Sequence, residues 1–365
     1  MKYACTGLVA APTLGVAQER SNVSISGIID AGITYVHGQH GPSSIKFDSG
    51  IFAPNLLTIK GTEDLGGGSR ALFELTSQFD MGNGQTIPGA GQIFGRTAIV
   101  GISKDRLGTV TLGNQYDFMF DSLSTGRFDG AFMFGGLYDW RQGPFSNLGV
   151  PQNPTGSFDF DRMAGATRVA NSVKYRSPEL GGFRLGGLYG FGENSSSFSA
   201  NSTTSFGVNY DSGPWAFGAA YVNVKYPELG GHEGIRNYGL GAHYQFPDVL
   251  AMLLYTNTRN TLTGAAINVY KAGAFWDITA TWKAGINYAF MDGNATLNSN
   301  RAHQVTGALQ YQFSKRTLAY VEAVYQHAQG SNGEAHAWIN GLLQPDSAAN
   351  GNSQMLTRIG IATRF

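Results

Sequence analysis

The hydrophobic pattern of this chain repeats every second residue almost from end to end, and no run of 18 consecutive apolar residues interrupts it. Such alternation puts successive side chains on opposite faces of a β-strand. Near the start, Val23, Ile25, Ile29, Ala31, Ile33 and Tyr35 share one face, with Ser24, Ser26, Asp30 and Thr34 opposite. Further on, Tyr238, Leu240, Ala242, Tyr244 and Phe246 alternate with Gly239, Gly241, His243 and Gln245. Trp282, Ala284, Ile286, Tyr288 and Phe290 repeat the pattern, as do Val305, Gly307, Leu309, Tyr311 and Phe313. Between Leu318 and Gln326 the outward face stays open. The missing apolar run excludes a transmembrane helix but not a membrane, because a strand crosses a bilayer with only about 9–11 alternating residues.

Composition narrows the choice further. Apolar residues make up 42% of the 365 positions and 25 basic side chains balance 25 acidic ones, which excludes disorder and the cationic surface that nucleic-acid binding needs. The 51 glycines, with abundant Ser, Thr and Asn, argue against long helices. Met1-Lys2-Tyr3 precedes a short apolar stretch to Val16 and then Ala17, which reads as a signal peptide over residues 1–17. Its removal takes away Cys5, the only cysteine, so disulfides cannot hold the remaining chain.

The remaining chain, 18–365, reads as one domain of about sixteen strands between Asn22 and Phe365. Short turns (Ser212-Gly213-Pro214, Pro247-Asp248-Val249, Ser314-Lys315-Arg316) take turns with long polar connections such as His37–Ala53 and Gln329–Asn352. Periodicity alone fits a soluble sandwich as well as a membrane barrel. Aromatic residues at strand ends (Tyr175, Tyr210, Trp215, Tyr244, Phe246, Phe290, Phe313) favour the barrel, since rings of this kind collect at membrane interfaces. So does a final strand, Met355 to Phe365, placed to pair with the first and close the sheet.

Several segments, in order, resemble the trimeric general porins of Gram-negative bacteria in their β-proteobacterial form. Lys60-Gly61-Thr62-Glu63-Asp64-Leu65-Gly66-Gly67-Gly68 is similar to the first periplasmic turn of that family. Leu107–Gly113 resembles its fifth strand, and Asn171–Pro178 with Gly181–Phe183 and Tyr189–Glu193 its sixth and seventh. Ser314–Thr317 resembles the turn before its penultimate strand, and Phe365 its terminal aromatic. The resemblance implies an all-β fold: a 16-stranded antiparallel transmembrane β-barrel with an inward-folded constriction loop, here about residues 116–167. It further implies a homotrimer in the outer membrane that passes ions and small hydrophilic solutes by diffusion, without cofactor, metal or catalysis. The implied partners are outer-membrane lipid and lipopolysaccharide, and assembly machinery that engages the C-terminal strand ending at Phe365.

A pore selects by width and by the field of the charges lining it. On the basic side, strand parity points Lys174, Arg168 and Lys60 inward, and Arg96 matches a basic wall position of the family although its parity with Ala98 and Val100 is wrong for the lumen. On the acidic side, Asp117, Asp121 and Asp129 are expected from the inward loop, and Glu74 and Asp30 from the wall. Leu56 and Asn114 stand where the family often carries basic residues, which weakens the expectation of strong anion selectivity. A solute-specific channel needs aromatic rings facing the lumen. An outer-membrane barrel enzyme needs a nucleophile, a base and an orienting group in reach, and the seven histidines lie mostly in loops and near strand ends. Asp159 and Asp161 lack the rest of a calcium loop, and Gly66-Gly67-Gly68 has no P-loop lysine after it.

Overall fold

Backbone hydrogen bonds run round a closed ring of antiparallel strands in a computed structural model that describes residues 22–41, 43–87, 91–344 and 346–365. The expected signal segment lies outside the described residues. The first strands are β1 (Asn22–His37), β2 (Ser44–Ser49), β3 (Leu56–Gly66), β4 (Ser69–Phe79), β5 (Thr86–Ile87), β6 (Thr97–Lys104) and β7 (Gly108–Gln115). After a long inner segment come β8 (Val169–Arg176), β9 (Phe183–Gly190), β10 (Thr203–Ser212), β11 (Trp215–Lys225), β12 (Gly234–Gln245) and β13 (Val249–Asn260). The last are β14 (Ala266–Asp277), β15 (Trp282–Gly293), β16 (Arg301–Gln312), β17 (Thr317–Gln329) and β18 (Ser353–Arg364). The short β2 and β5 lie in connections; the other sixteen form the wall.

Closure comes from β1 against β18, in register from Ile28↔Arg364 to His37↔Met355. Gly27 and Phe365 then exchange both backbone hydrogen bonds at 3.1 Å, so the final residue belongs to the ladder. Inside this seam Asp30 accepts hydrogen bonds from the Ile51 and Phe52 N–H groups (2.8 and 3.1 Å) and from the Tyr320 hydroxyl (2.6 Å). Arg358 of the last strand reaches Asp30 at 3.3 Å and Thr34 at 3.0 Å, and also pairs with Asp48. First, penultimate and last strands are thus joined through side chains as well as backbone.

The outer face carries the alternating apolar set: Ile25, Ile33, Val100, Ile102, Leu112, Phe206, Leu240, Leu253 and Ile359 are all exposed. Paired rings border it at both ends. Phe183–Tyr210, Trp215–Tyr244 and Trp282–Tyr311 lie at the short-turn end, and Tyr238–Tyr255 and Tyr255–Tyr270 at the other. An apolar band between aromatic rows is the outer surface of a bilayer-spanning barrel.

Residues 116–168 turn into the lumen and pack against the inner faces of β9 to β16, with Tyr138 reaching β1, β17 and β18. The wall makes room with glycine. A Cβ added at Gly186 would stand 2.1 Å from the Phe118 ring, one at Gly241 2.4 Å from Phe128, and one at Gly285 2.1 Å from Phe134. Gly186 faces Gly207 across β9–β10, and Gly218 faces Gly241 across β11–β12, so these positions form a recess spanning several strands. Phe118, Met119, Leu123 and Phe128 fill it and are buried. Gly241→Leu is therefore expected to cost about 1–3 kcal/mol through overpacking and to push the segment off the wall. Heat-unfolding of the folded barrel on gels checks this, with Gly307→Ala as control because nothing lies closer than 4.0 Å to that position.

Candidate functional site

A segment of irregular backbone inside a barrel must find hydrogen-bond partners there, because buried peptide groups left unpaired are costly. The inward Asn, Gln and Ser side chains supply many of them. Phe118 N–H donates to Ser205 Oγ (3.0 Å). Asn209 donates to the Ser122 carbonyl (2.7 Å), Asn237 to Phe160 (2.8 Å), Asn260 to Leu148 (3.0 Å) and Gln310 to Met133 (2.7 Å).

Charge holds the same segment. Arg141, wholly buried, donates to Asp129 (2.5 Å) and Asp161 (2.8 Å). Lys271 of β14 donates to Asp129 (2.6 Å) and Asp139 (2.5 Å). Burial opposes ionisation of Asp129, but the Arg141 and Lys271 charges outweigh it and hold the carboxyl down at about 2. Arg162 binds Asp117 (2.6 Å), and Lys174 binds Asp121.

These contacts correct part of the sequence expectation. Asp117 and Asp129 do not face the water-filled side: they are 1% and 0% exposed, because each is spent on an ion pair that folds the segment. Asp121 ties the segment to β8, and Lys174, 2% exposed, is its partner rather than an open wall charge. Asp30 points inward as expected but is covered by the Ile51–Phe52 backbone. Lys60 and Glu74 form a cross-strand pair at 3.0 Å, on the strand face that carries Thr58 and Thr76.

Arg96 and Arg168 come together, although strand parity argues against the first and misplaces the second. Arg96 precedes β6, donates to Gln78 Oε1 (2.8 Å) and leans on the Tyr116 ring, its guanidinium carbon 5.3 Å from the ring centre. Arg168 lies 5.3 Å from the same ring. It does not continue the row of Ser172 and Lys174, because the β7–β8 register shifts between Gly113 and Gln115 and Asn171 adopts φ +49°. That bulge breaks the alternation across which the sequence was read. Asn114, in place of a family basic residue, donates to the Gly95 carbonyl (3.0 Å) and shapes the approach to Arg96.

Both arginines line a cavity of about 750 Å³ between the inner segment and the wall. Arg162, which the sequence reading did not single out, lines it too. Arg96 Nε, Arg162 Nη2 and Arg168 Nη2 are buried and have no hydrogen-bond partner among the described residues. Burial and the adjacent Arg96 lower Arg168 to about 10, so it remains cationic at neutral pH. Asp159 also borders the cavity, accepting from the Ala164 and Ala166 N–H groups (2.8 and 2.9 Å). Burial and the neighbouring Asp161 push its carboxyl up to about 7. Glu322 was also missed: it is wholly buried on β17, and neither carboxylate oxygen has a hydrogen-bond partner among the described residues.

Apolar side chains outside and polar ones around a water-accessible bore suit a bilayer and no aqueous compartment, which places the protein among outer-membrane β-barrel channels. The chain belongs to the Gram-negative porin family, whose profile matches residues 4–331. It is 28% identical over 333 residues to outer membrane porin protein 32 of Delftia acidovorans, covering 88% of each chain. An outer membrane porin protein of Bordetella pertussis is 28% identical over 273 residues, 67% of this chain and 66% of that one. Among solved structures, an anion-selective porin from Comamonas acidovorans superposes with a TM-score of 0.76 at 23% identity, covering 95% of this chain and all of that one. The OmpT protein of Vibrio cholerae in its trimer form gives 0.65 at 15%, covering 95% of this chain and all of that one. The last two likenesses are likenesses of fold.

Arg141→Met leaves Asp161 and half of Asp129's pairing unsatisfied in a buried place, at an expected cost of about 3–5 kcal/mol. Faster protease cutting within 116–168 in the folded barrel is the readout. Because Asp129 is depressed on folding, its contribution is complete above about pH 4, its unfolded range, and disappears as pH falls through about 2. Protection from protease is expected to follow that course.

Proposed function

We propose that this protein is a passive diffusion pore that favours anions, with residues 116–168 as its constriction and Arg96, Arg162 and Arg168 as the charges that set the preference. One observation carries the reading: Arg96 and Arg168 border the cavity with no carboxylate partner among the described residues, and Arg162, paired with Asp117, borders it beside them, while Asp129, Asp139 and Asp161 are consumed in buried pairs. The acidic half of the expected field is neutralised inside the fold, and of the basic half Arg96 and Arg168 are left at the cavity without a carboxylate partner among the described residues. Lys60 adds a further cation, offset by Glu74. The process is diffusion, with no catalytic step.

A homotrimer accompanies this reading. Ring pairs on the outer face run from β9 round to β16, whereas the arc from β18 through β1 to β7 presents Ile359, Ile361, Ile25, Ile33, Val100 and Leu112 with no such pairs among the described residues. Lipid interfaces attract aromatic belts and protein interfaces do not require them, so this arc is the face turned to neighbouring copies. Lipopolysaccharide packs on the girdled arc, and the assembly machinery engages β18.

In planar bilayers under a potassium chloride gradient, the zero-current potential is expected to show chloride preference. Arg96→Ala with Arg168→Ala is expected to move it towards the non-selective value. A native channel that prefers potassium ions overturns the reading. Asp159 supplies a pH test. Below about 7 its carboxyl is neutral and the arginines act unopposed; above it a negative charge joins them. Anion preference is thus expected to fall as pH rises from 6 to 8, and Asp159→Asn to remove that dependence.

A further inference from the structure

A row of aromatic rings runs along the inner segment from the arginines into the cavity. Tyr116 stacks on Phe120 with centroids 3.9 Å apart and planes 13° off parallel. Phe120 meets Phe132 edge to face at 5.6 Å, and Phe132 meets Trp140 in the same way at 5.6 Å. Tyr116, at one end, carries the guanidinium groups of Arg96 and Arg168 against its ring. The row therefore begins at positive charge and ends in the cavity wall.

Phe132 is the unusual member. It sits inside the barrel, packed between two other rings, yet keeps 37% of its surface exposed. Passage of inorganic ions gains nothing from an uncovered phenyl group in a wet bore, and such a group is hydrophobic surface awaiting a partner. Ala131, Leu137, Trp140, Ala164 and Ala166 give the cavity an apolar part, beside polar lining from Gln78, Asn153 and Thr167. Arg96, Arg162 and Arg168 line it as well, each with one buried N–H that has no hydrogen-bond partner among the described residues. Guanidinium forks bind carboxylates through paired hydrogen bonds, and aromatic rings prefer offset or edge contact with other rings.

We propose that this cavity selects aromatic monocarboxylates, the carboxylate held by the arginine group and the ring lying against Phe132. The volume of about 750 Å³ is ample for a single-ring acid with water around it. The inference rests on the anion-preferring reading above and adds the chemical class of solute that the pore retains. A solute that dwells at the cavity interrupts chloride current, so affinity is readable as block.

The test uses single-channel recording of the full trimer in potassium chloride with benzoate, acetate or benzyl alcohol added. Benzoate is expected to reach half-block at a concentration about tenfold below acetate, and benzyl alcohol to block less than benzoate. Phe132→Ala is expected to bring the benzoate-to-acetate ratio close to one, whereas Arg168→Ala weakens both anions. Phe132→Leu keeps apolar bulk without a ring and is expected to lower the ratio as well. If neither Phe132 variant inserts, the ratio in the native channel decides alone. Equal block by benzoate and acetate in a channel that still prefers chloride overturns this inference and leaves the proposed function standing. So does a tenfold ratio that survives both Phe132 variants. Absence of any chloride preference instead overturns the proposed function itself.

Discussion

The whole structure depends on a hydrogen-bond ladder without a free edge. In hydrocarbon no water can satisfy a spare N–H or C=O group, so a sheet that spans a bilayer must close on itself. Here closure is completed at the last residue, where Phe365 and Gly27 exchange their peptide hydrogen bonds. The Asp30–Arg358–Tyr320 cluster stands directly behind that seam and links both terminal strands to the Ile51–Phe52 connection. Only a wall closed in this way leaves its inner face free to act as the floor on which a second layer folds.

That second layer behaves like the core of a soluble protein built inside a membrane protein. Phe118, Leu123 and Phe128 occupy a glycine recess in the wall, and Asn and Gln side chains of the strands take the place of water at the segment's carbonyls. Two buried cations, Arg141 and Lys271, gather three carboxylates from distant parts of the segment. Burial makes these pairs poor sources of net stability but strict determinants of geometry, since a misplaced partner leaves a charge stranded. Position of the segment, more than its affinity for the wall, is what the network secures.

The barrel was legible in the sequence because its physics is local: each strand shows a two-residue period, and lipid on one side keeps that period clean. The strand count, the outward rows and closure by the last strand all follow from it. The site was legible only in part. Asp129 looks like a solvent-facing loop carboxylate until Lys271, 142 positions later, is brought against it. Arg168 appears to share a face with Lys174 because nothing in the residues themselves announces the bulge at Asn171. Arg162 and Glu322 escaped notice for the same reason, as their surroundings are assembled from remote strands. Leu56 and Asn114 suggested a weakened basic lining, whereas Arg96 and Arg168 keep their charge at the cavity with only Asp159 as a nearby titrating acid.

The glycine recess has one more consequence. Among the described residues the recess lies in the β9–β15 half of the wall, while Gln78, Arg96 and the Ile51–Pro54 connection line the cavity from the opposite half. That half backs onto the arc without paired rings. In a trimer joined along this arc the three apertures lie closer to the threefold axis than the barrel centres do. Their fields then overlap, and an approaching ion meets one shared potential before it is committed to any single channel.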